Sequence, residues 1–469
     1  MEIEFFQSSI FSVYQFLLLS LYLLIALCSW IYLSTISLKS HFAVPTFRMA
    51  NSNTRSVNTR NYYLSNGFFN KSITTVTKEH YLNDFPFLSI IVPARNEQEK
   101  IENCIKSLLV QKYPHFEVIA IDDNSTDNTL NILIDMKEKL SQSKPSPESL
   151  SSSLFSSSLL TSSGTNSRLK VISLKDKPED WKGKTWAMQQ GYLQSKGDIL
   201  LFTDADTTYN SPDALLLTIS YMQKEKLDAL TSIFFTELRD FLSKTVIPLW
   251  DIFYIIFGRD HSKMNNPKSK VAYLLGAFIM IKRNVLEDIG TFESVRDAIQ
   301  EDKVLGEHLK YRGFRVKIIK SYELMSAFWS RDPYTLWYGI ERTLAPIIKT
   351  NKLKVLRDLL ILLFMAFLPF LVLPYTIWFT DINKEQLILF DGKNLPDSFS
   401  IFYLNTSVCI IVVAAIAAKN ITKYKISPIY SAFAVLSSFF LVVAYLNALL
   451  KFGLDHKKPI PWRGRKTQA

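Results

Sequence analysis

A chain of 469 residues exceeds one average domain, and 48% hydrophobic residues with a mean hydropathy of +0.08 exclude an ordinary, wholly soluble composition. The 54 Lys and Arg outnumber the 43 Asp and Glu, a net charge of +11, yet no compact nucleic-acid motif accompanies the excess. Many of the basic residues instead flank apolar runs, at Lys419 to Lys425 and after Lys451, as they do beside a lipid surface, so nucleic acid is not an expected partner. The three cysteines, Cys28, Cys104 and Cys409, fall in apolar contexts and provide neither a disulfide framework nor zinc spacing.

In chain order, Ile10 to Leu38 is apolar and long enough to span, since about 20 residues cross a bilayer core. Glu2 and Glu4 precede it where a signal peptide has basic residues, so residues 1–40 read as an uncleaved anchor. Residues 41–86 read as a basic linker: after the apolar run come Lys39, Arg48, Arg55, Arg60 and Lys71, with no acidic residue until Glu79. The positive-inside bias then places the middle of the chain in the cytoplasm.

Residues 87–325 alternate strand-like and helix-like patterns. Leu88 to Val92 is a continuous apolar run, as in a strand buried on both faces, and Ile101, Cys104, Ile105, Leu108 and Leu109 recur at helical spacing. The alternation repeats through Phe116 to Ile121, a helix near Asp127 to Lys139, Leu169 to Ser173, Thr185 to Gln194, and Ile199 to Thr203. The expected fold class is α/β, a mostly parallel sheet with flanking helices, with ligands bound at the carboxyl ends of strands. Residues 141–167 are dominated by serine without periodicity and read as a disordered insertion. Val246 to Phe257, with Trp250, Phe253, Tyr254 and Phe257, suits a membrane interface or ordinary core packing equally.

Residues 326–356 read as an interfacial segment, and 357–450 as transmembrane helices with apolar runs at Leu359 to Phe379, Ile401 to Ala418 and Pro428 to Leu450. A basic tail, 451–469, follows. Four spans starting from an outside N-terminus leave that tail outside against its charge, and the run containing Pro369 and Pro374 is the candidate for a re-entrant segment.

Three acidic clusters fall at or near strand ends: Asp122 with Asp123, Asp204 with Asp206, and Glu301 with Asp302. Each has a plain structural reading, since Asp caps helices and turns, the expected role of Asp127 or Asp213. Together they suggest one shared edge. On an extended backbone Asp204 and Asp206, at i and i+2, point to one side and suit a hard cation, Mg²⁺ or Mn²⁺.

With Pro93-Ala94-Arg95-Asn96-Glu97 after a first strand, Asp122-Asp123-Asn124-Ser125-Thr126-Asp127 after a second, and Asp204-Ala205-Asp206, the region Leu88 to Tyr322 resembles family-2 inverting glycosyltransferases of GT-A fold. Trp181-Lys182-Gly183-Lys184-Thr185-Trp186-Ala187, the run Gly276 to Ile281, Gln300-Glu301-Asp302 and Trp462-Arg463-Gly464-Arg465 resemble the hopanoid-associated membrane subfamily. The resemblance implies a multi-pass cell-membrane enzyme whose cytoplasmic domain moves a sugar from a nucleotide-sugar donor to a membrane lipid or lipid-linked acceptor. It implies that Pro93, Arg95, Glu97, Asp122 and Asp123 line the nucleotide pocket, with Lys184 near the diphosphate. Asp204 and Asp206 hold the metal, Asp302 acts as general base, and Glu301 is its nearest rival. The Gln-x-x-Arg-Trp motif of processive polysaccharide synthases is missing; Arg331, Trp337 and Arg342 stand in that region as either ligand contacts or an interfacial face. A polymer-elongating synthase and a catalytically inactive scaffold subunit are the alternatives.

Overall fold

The computed structural model describes residues 18–37, 44–49, 62–65, 85–142, 168–256, 261–269, 271–298, 300–328, 332–387, 398–455, 460–462 and 465–467. The serine-dominated insertion therefore lies outside the described residues except for its first two, Ser141 and Gln142, which end a helix.

In chain order the elements are α1 (Leu18–Ser37), β1 (Thr46–Met49), β2 (Tyr62–Ser65), β3 (Leu88–Ala94), α2 (Ile101–Leu109), β4 (Phe116–Asp123), α3 (Thr129–Gln142) and β5 (Leu169–Leu174). Then come α4 (Gly183–Leu193), β6 (Ile199–Thr203), β7 (Thr207–Tyr209), α5 (Ala214–Lys224), β8 (Ala229–Ile233), β9 (Phe235–Glu237), α6 (Phe241–Ile256) and α7 (His261–Met264). After β10 (Phe278–Lys282), α8 (Arg283–Asp288) and a 3₁₀ turn at Phe292–Val295 follow α9 (Glu301–Tyr311), β11 (Val316–Lys320) and β12 (Met325–Phe328). The chain closes with α10 (Pro333–Leu362), α11 (Leu368–Leu387), α12 (Ser398–Lys419), α13 (Ala434–Gly453), β13 (Ile460–Trp462) and β14 (Arg465–Thr467).

The fold is mixed α/β with a large, mostly parallel sheet, ordered β2-β1-β11-β8-β10-β6-β3-β4-β5. Strand β3 runs parallel to both β4 and β6, whereas β10 runs against both of its neighbours. The continuous apolar runs explain the double burial. Successive side chains alternate faces, so Ile90 and Val92 join Ile105 and Leu108 of α2 on one side, while Ile91 joins Ala187 and Met188 of α4 on the other. A smaller sheet, β7-β12-β9, stands beside it.

The basic segment before residue 87 differs from a simple linker, because β1 and β2 extend the large sheet through β11. Short strands without a long periodic pattern leave little trace in sequence.

Among the described residues, four helices are long and apolar enough to cross a membrane: Leu18–Ser37, Pro333–Trp378, Ile401–Tyr424 and Pro428–Gly453. Leu21, Ile31, Leu371, Trp378, Ile410 and Phe439 on them are exposed, an apolar surface that hydrocarbon would cover. The segment from 333 is helical through α10 and a π-turn at Leu363–Phe367 into α11, broken at Asn351 (φ −155°, ψ 81°). A capping box starts it, with Thr335 N donating to Asp332 Oδ1 at 2.8 Å. The run 359–379, the candidate for a re-entrant segment, thus lies within a helix that continues from residue 352 through the π-turn to Leu387. Helix α6 settles into the apolar cluster: Trp250 Nε1 donates to Tyr445 Oη at 3.3 Å and Phe253 meets Trp30 edge-on, so core packing accounts for both rings.

Candidate active site

The carboxyl edge of β3, β4 and β6 carries the loops where the expected site residues stand, because parallel neighbours end on the same side. After β3, the buried Arg95 turns its guanidinium to the next loop, where Nη1 donates to the carbonyls of Asp123 and, at 2.8 Å, Asn124. Asn96 and Asn124 both take positive φ, 54° and 51°, which Asn tolerates better than most residues. Asn96 Oδ1 accepts from Thr126 N at 2.8 Å and Asn96 N donates to Ser125 Oγ at 3.0 Å. The two loops are laced into one wall. Glu97 N donates to Thr129 Oγ1 and its carbonyl receives Ile101 N at the start of α2.

Asp127 completes this lacing as expected of a turn residue, accepting from Thr129 N at 3.0 Å and Gln98 N at 3.2 Å. Burial works against its charge, but these hydrogen bonds hold its pKa below the usual carboxylate range. Asp213, the other expected cap, makes no side-chain cap hydrogen bond and pairs with Lys112 at 3.2 Å.

Asp122 and Asp123 are both buried at the end of β4. Asp122 Oδ2 accepts from Ser125 N at 3.2 Å, while its Oδ1 is enclosed without a hydrogen-bond partner. An enclosed carboxylate oxygen of this kind is unusual.

The extended backbone expected at Asp204 and Asp206 requires a correction. They sit in a turn between β6 and β7, closed by Thr207 N donating to Asp204 O at 3.1 Å, rather than on an extended strand. Ala205 between them is buried and both carboxylates remain part-exposed. Cys104 of α2 lies beneath, its thiol 3.6 Å from Asp204 O, and burial followed by the two aspartates raises the thiol's pKa, leaving a neutral structural cysteine.

Lys184, in the first turn of α4, reaches across to β6 and α9 together. Its Nζ lies 2.7 Å from Asp204 Oδ1 and 3.5 Å from Glu301 Oε1. Desolvation disfavours the ammonium, but Asp204 and Glu301 outweigh it and hold its pKa above the ordinary lysine value. Glu301 is 13% exposed, and this shielding raises its pKa although Lys184 opposes the shift. Asp302 Oδ2 accepts from Gly276 N at 3.2 Å and Oδ1 from Lys303 N at 2.8 Å. So two of the three acidic clusters meet directly through Lys184, and the third stands one strand away, across β3.

Gly276 was legible only as part of a motif. A Cβ built on it falls 2.9 Å from Lys184 Nζ, 3.6 Å from Asp302 Oδ2 and 3.7 Å from Glu301 Oε1. Its backbone forms the floor of the cluster. Trp337 Nε1 donates to Glu341 Oε1 at 3.1 Å within α10, and Lys451 pairs with the same carboxylate at 2.6 Å; Arg331 lies outside the described residues.

Among the described residues no cluster of three His, Cys, Asp or Glu is arranged to hold a metal. Two aspartates nevertheless match what a protein contributes to Mg²⁺ or Mn²⁺ when substrate phosphates and water complete the shell. The donor chemistry of Asp204 and Asp206 fits such a cation.

Fold and site together define an α/β domain joined to apolar helices, with carboxylates and a lysine gathered at the edge of its sheet where parallel α/β folds bind ligands. Residues 89–145 match Glycosyl transferase family 2, and residues 163–344 match Glycosyltransferase like family 2. The chain carries the domains of a family-2 glycosyltransferase.

It is 23% identical over 307 residues to a probable glycosyltransferase, YdaM, of Bacillus subtilis, covering 62% of this chain and 64% of that one. It is 23% identical over 359 residues to the poly-beta-1,6-N-acetyl-D-glucosamine synthase of Staphylococcus epidermidis, covering 74% and 76%. The Staphylococcus aureus synthase matches at 24% over 249 residues, and there the match spans about half of each chain, 53% and 51%. Among solved structures, a mannosyltransferase from Pyrobaculum calidifontis in complex with GDP-Man and Mn²⁺ overlaps with a TM-score of 0.41 at 17% identity, covering 78% and 88%. S. aureus TarS 1–349 in complex with UDP-GlcNAc overlaps at 0.36 and 16%, covering 78% and 92%.

Proposed function

We propose that this protein is a multi-pass cell-membrane glycosyltransferase that inverts configuration while moving a sugar from a nucleotide-sugar donor to a membrane lipid or lipid-linked acceptor, with its α/β domain in the cytoplasm. The observation that carries this reading is the joining of Asp204, Lys184 and Glu301 beside Asp302 at the carboxyl edge of the sheet, in a chain whose ends are apolar helices.

The wall built by Pro93, Arg95 and Glu97 with Asp122 and Asp123 suits the donor's base and ribose. Arg95 acts there as a brace, its Nη1 donating to two carbonyls of the neighbouring loop. Asp204 and Asp206 would hold Mg²⁺ or Mn²⁺, which when bound neutralises charge on a diphosphate leaving group. Lys184 adds a cation to the same charge.

Direct displacement needs a group that takes the acceptor hydroxyl's proton as that oxygen attacks the anomeric carbon. Asp302 serves in that role. Two backbone N–H groups orient its carboxylate, and Glu301 beside it is committed to Lys184.

A second reading, a polymer-elongating synthase, draws on the S. epidermidis relative, which the match covers over 76% of its length. The missing Gln-x-x-Arg-Trp motif stands against it. Incubating membranes that contain the protein with a panel of labelled nucleotide sugars separates the two. A lipid-extractable product carrying one sugar is expected, abolished by chelation and by Asp206→Ala. An insoluble polymer would establish the synthase, and no product from any donor would favour the inactive scaffold.

A further inference from the structure

Resting on the reading of Asp204 as a cation ligand, we infer that Lys184 is an internal counter-ion that competes with the divalent cation for Asp204, so that cation binding requires the lysine to let go. Its ammonium sits 2.7 Å from Asp204 Oδ1 and 3.5 Å from Glu301 Oε1, with 20% of the side chain exposed.

The surroundings limit where it can go. A Cβ on Gly276 would lie 2.9 Å from Nζ, so the backbone of the turn before β10 closes one side, while Asp204 and Glu301 close two others. Asp204 is the more exposed of the two carboxylates, 32% against 13% for Glu301. A cation arriving from solvent therefore meets the Asp204 side first. Releasing Asp204 leaves Lys184 within reach of Glu301, whose carboxylate keeps the ammonium compensated. The lysine thus has a second station already built, 3.5 Å away.

The thermodynamic consequence is linkage: any ligand that draws Lys184 off Asp204 strengthens cation binding, and the cation strengthens that ligand by the same factor. A donor diphosphate has the charge to do this. Donor and cation then load as a pair.

The test uses the full chain in detergent without nucleotide, titrated with Mn²⁺ and followed by electron paramagnetic resonance of the free ion. Four proteins are compared: wild type, Lys184→Gln, Asp204→Asn and the double variant, with Lys184→Met as the substitute should Lys184→Gln not fold. Lys184→Gln is expected to bind Mn²⁺ tighter than wild type by on the order of tenfold, the scale of such couplings. Asp204→Asn is expected to abolish site-specific binding, with the double variant no better than Asp204→Asn alone. Unchanged or weaker binding in Lys184→Gln overturns the counter-ion role, as does an equal gain in the Asp204→Asn background, which would mark a general field effect. Wild-type binding that survives Asp204→Asn sinks the metal assignment itself, a distinct result.

Discussion

Of the residues in the cluster, Asp302 and Glu301 differ most in what the fold asks of them. Glu301 faces a lysine and is shielded to 13% exposure, with its pKa raised by that shielding, whereas Asp302 faces the Gly276 turn and receives two backbone donors. A purely structural Asp302 would be satisfied by an amide, since Asn retains an acceptor for one of those N–H groups. Asp302→Asn is therefore expected to leave donor binding near wild type and to lower turnover by about 10²-fold or more, the scale of losing a general base. Donor binding and kcat measured on the same purified variant decide it. Turnover within a few-fold of wild type would transfer the role to Glu301. The sequence resemblance placed Lys184 near a donor diphosphate and did not foresee its ion pairs with Asp204 and Glu301. Sequence places Lys184 and Asp204 twenty residues apart with no sign that α4 and β6 bring them within 2.7 Å.

At the scale of elements, what could be read was set by periodicity. The run Ile199 to Thr203 is β6 without change, and Leu88 to Val92 and Phe116 to Ile121 extend by two residues into β3 and β4, because buried parallel strands are continuous apolar stretches. The three-residue strands β7 and β9 were illegible because neither length nor alternation marks them; β10 is a mostly apolar run as long as β6, but nothing in it signals that it runs antiparallel. The same holds for how α9 reaches the site. A Cβ on Gly306 would fall 2.6 Å from Tyr273 Cα and 2.7 Å from its carbonyl carbon, so α9 lies directly against the backbone strand leading to Gly276. Leu274 N donates to Asp302 O at 3.0 Å along this contact. Gly306→Ala must push α9 off that backbone, which overpacking data place at about 1–3 kcal/mol. The expected result is a lower melting temperature and a fall in kcat larger than any rise in KM, since Glu301 and Asp302 ride on the displaced helix. A variant with wild-type melting and kcat would show that α9 is not held by this contact.

Over the whole molecule, the least legible feature is how the α/β domain meets the apolar helices. Composition announced both parts, yet nothing in the sequence pairs Asp251 with residues 168 and 172 positions away. In the structure Asp251 of α6 accepts from Lys419 Nζ at 2.9 Å and from Lys423 Nζ at 2.5 Å, where α12 runs into a π-turn at Asn420–Tyr424. All three side chains are 12–14% exposed. Burial opposes the charge on Asp251, but the two ammonium groups prevail and hold its carboxyl well below the usual range. Strand β9 follows β8 of the large sheet and precedes α6, so this triad fastens the end of α12 to the segment that leaves the catalytic sheet. Asp251→Asn keeps the shape and removes the carboxylate that opposes two shielded cations, a change that costs about 3–5 kcal/mol when a buried pair loses one partner. The full-length variant in detergent is expected to melt well below wild type. Replacing the whole triad, Asp251→Asn with Lys419→Met and Lys423→Met, should recover most of the loss, because uncharged groups of similar size need no counter-ion. The two results together separate a charge lock from mere packing: a defect that persists in the triple variant would assign the seam to shape, and an Asp251→Asn variant as stable as wild type would show that solvent reaches these lysines and screens them.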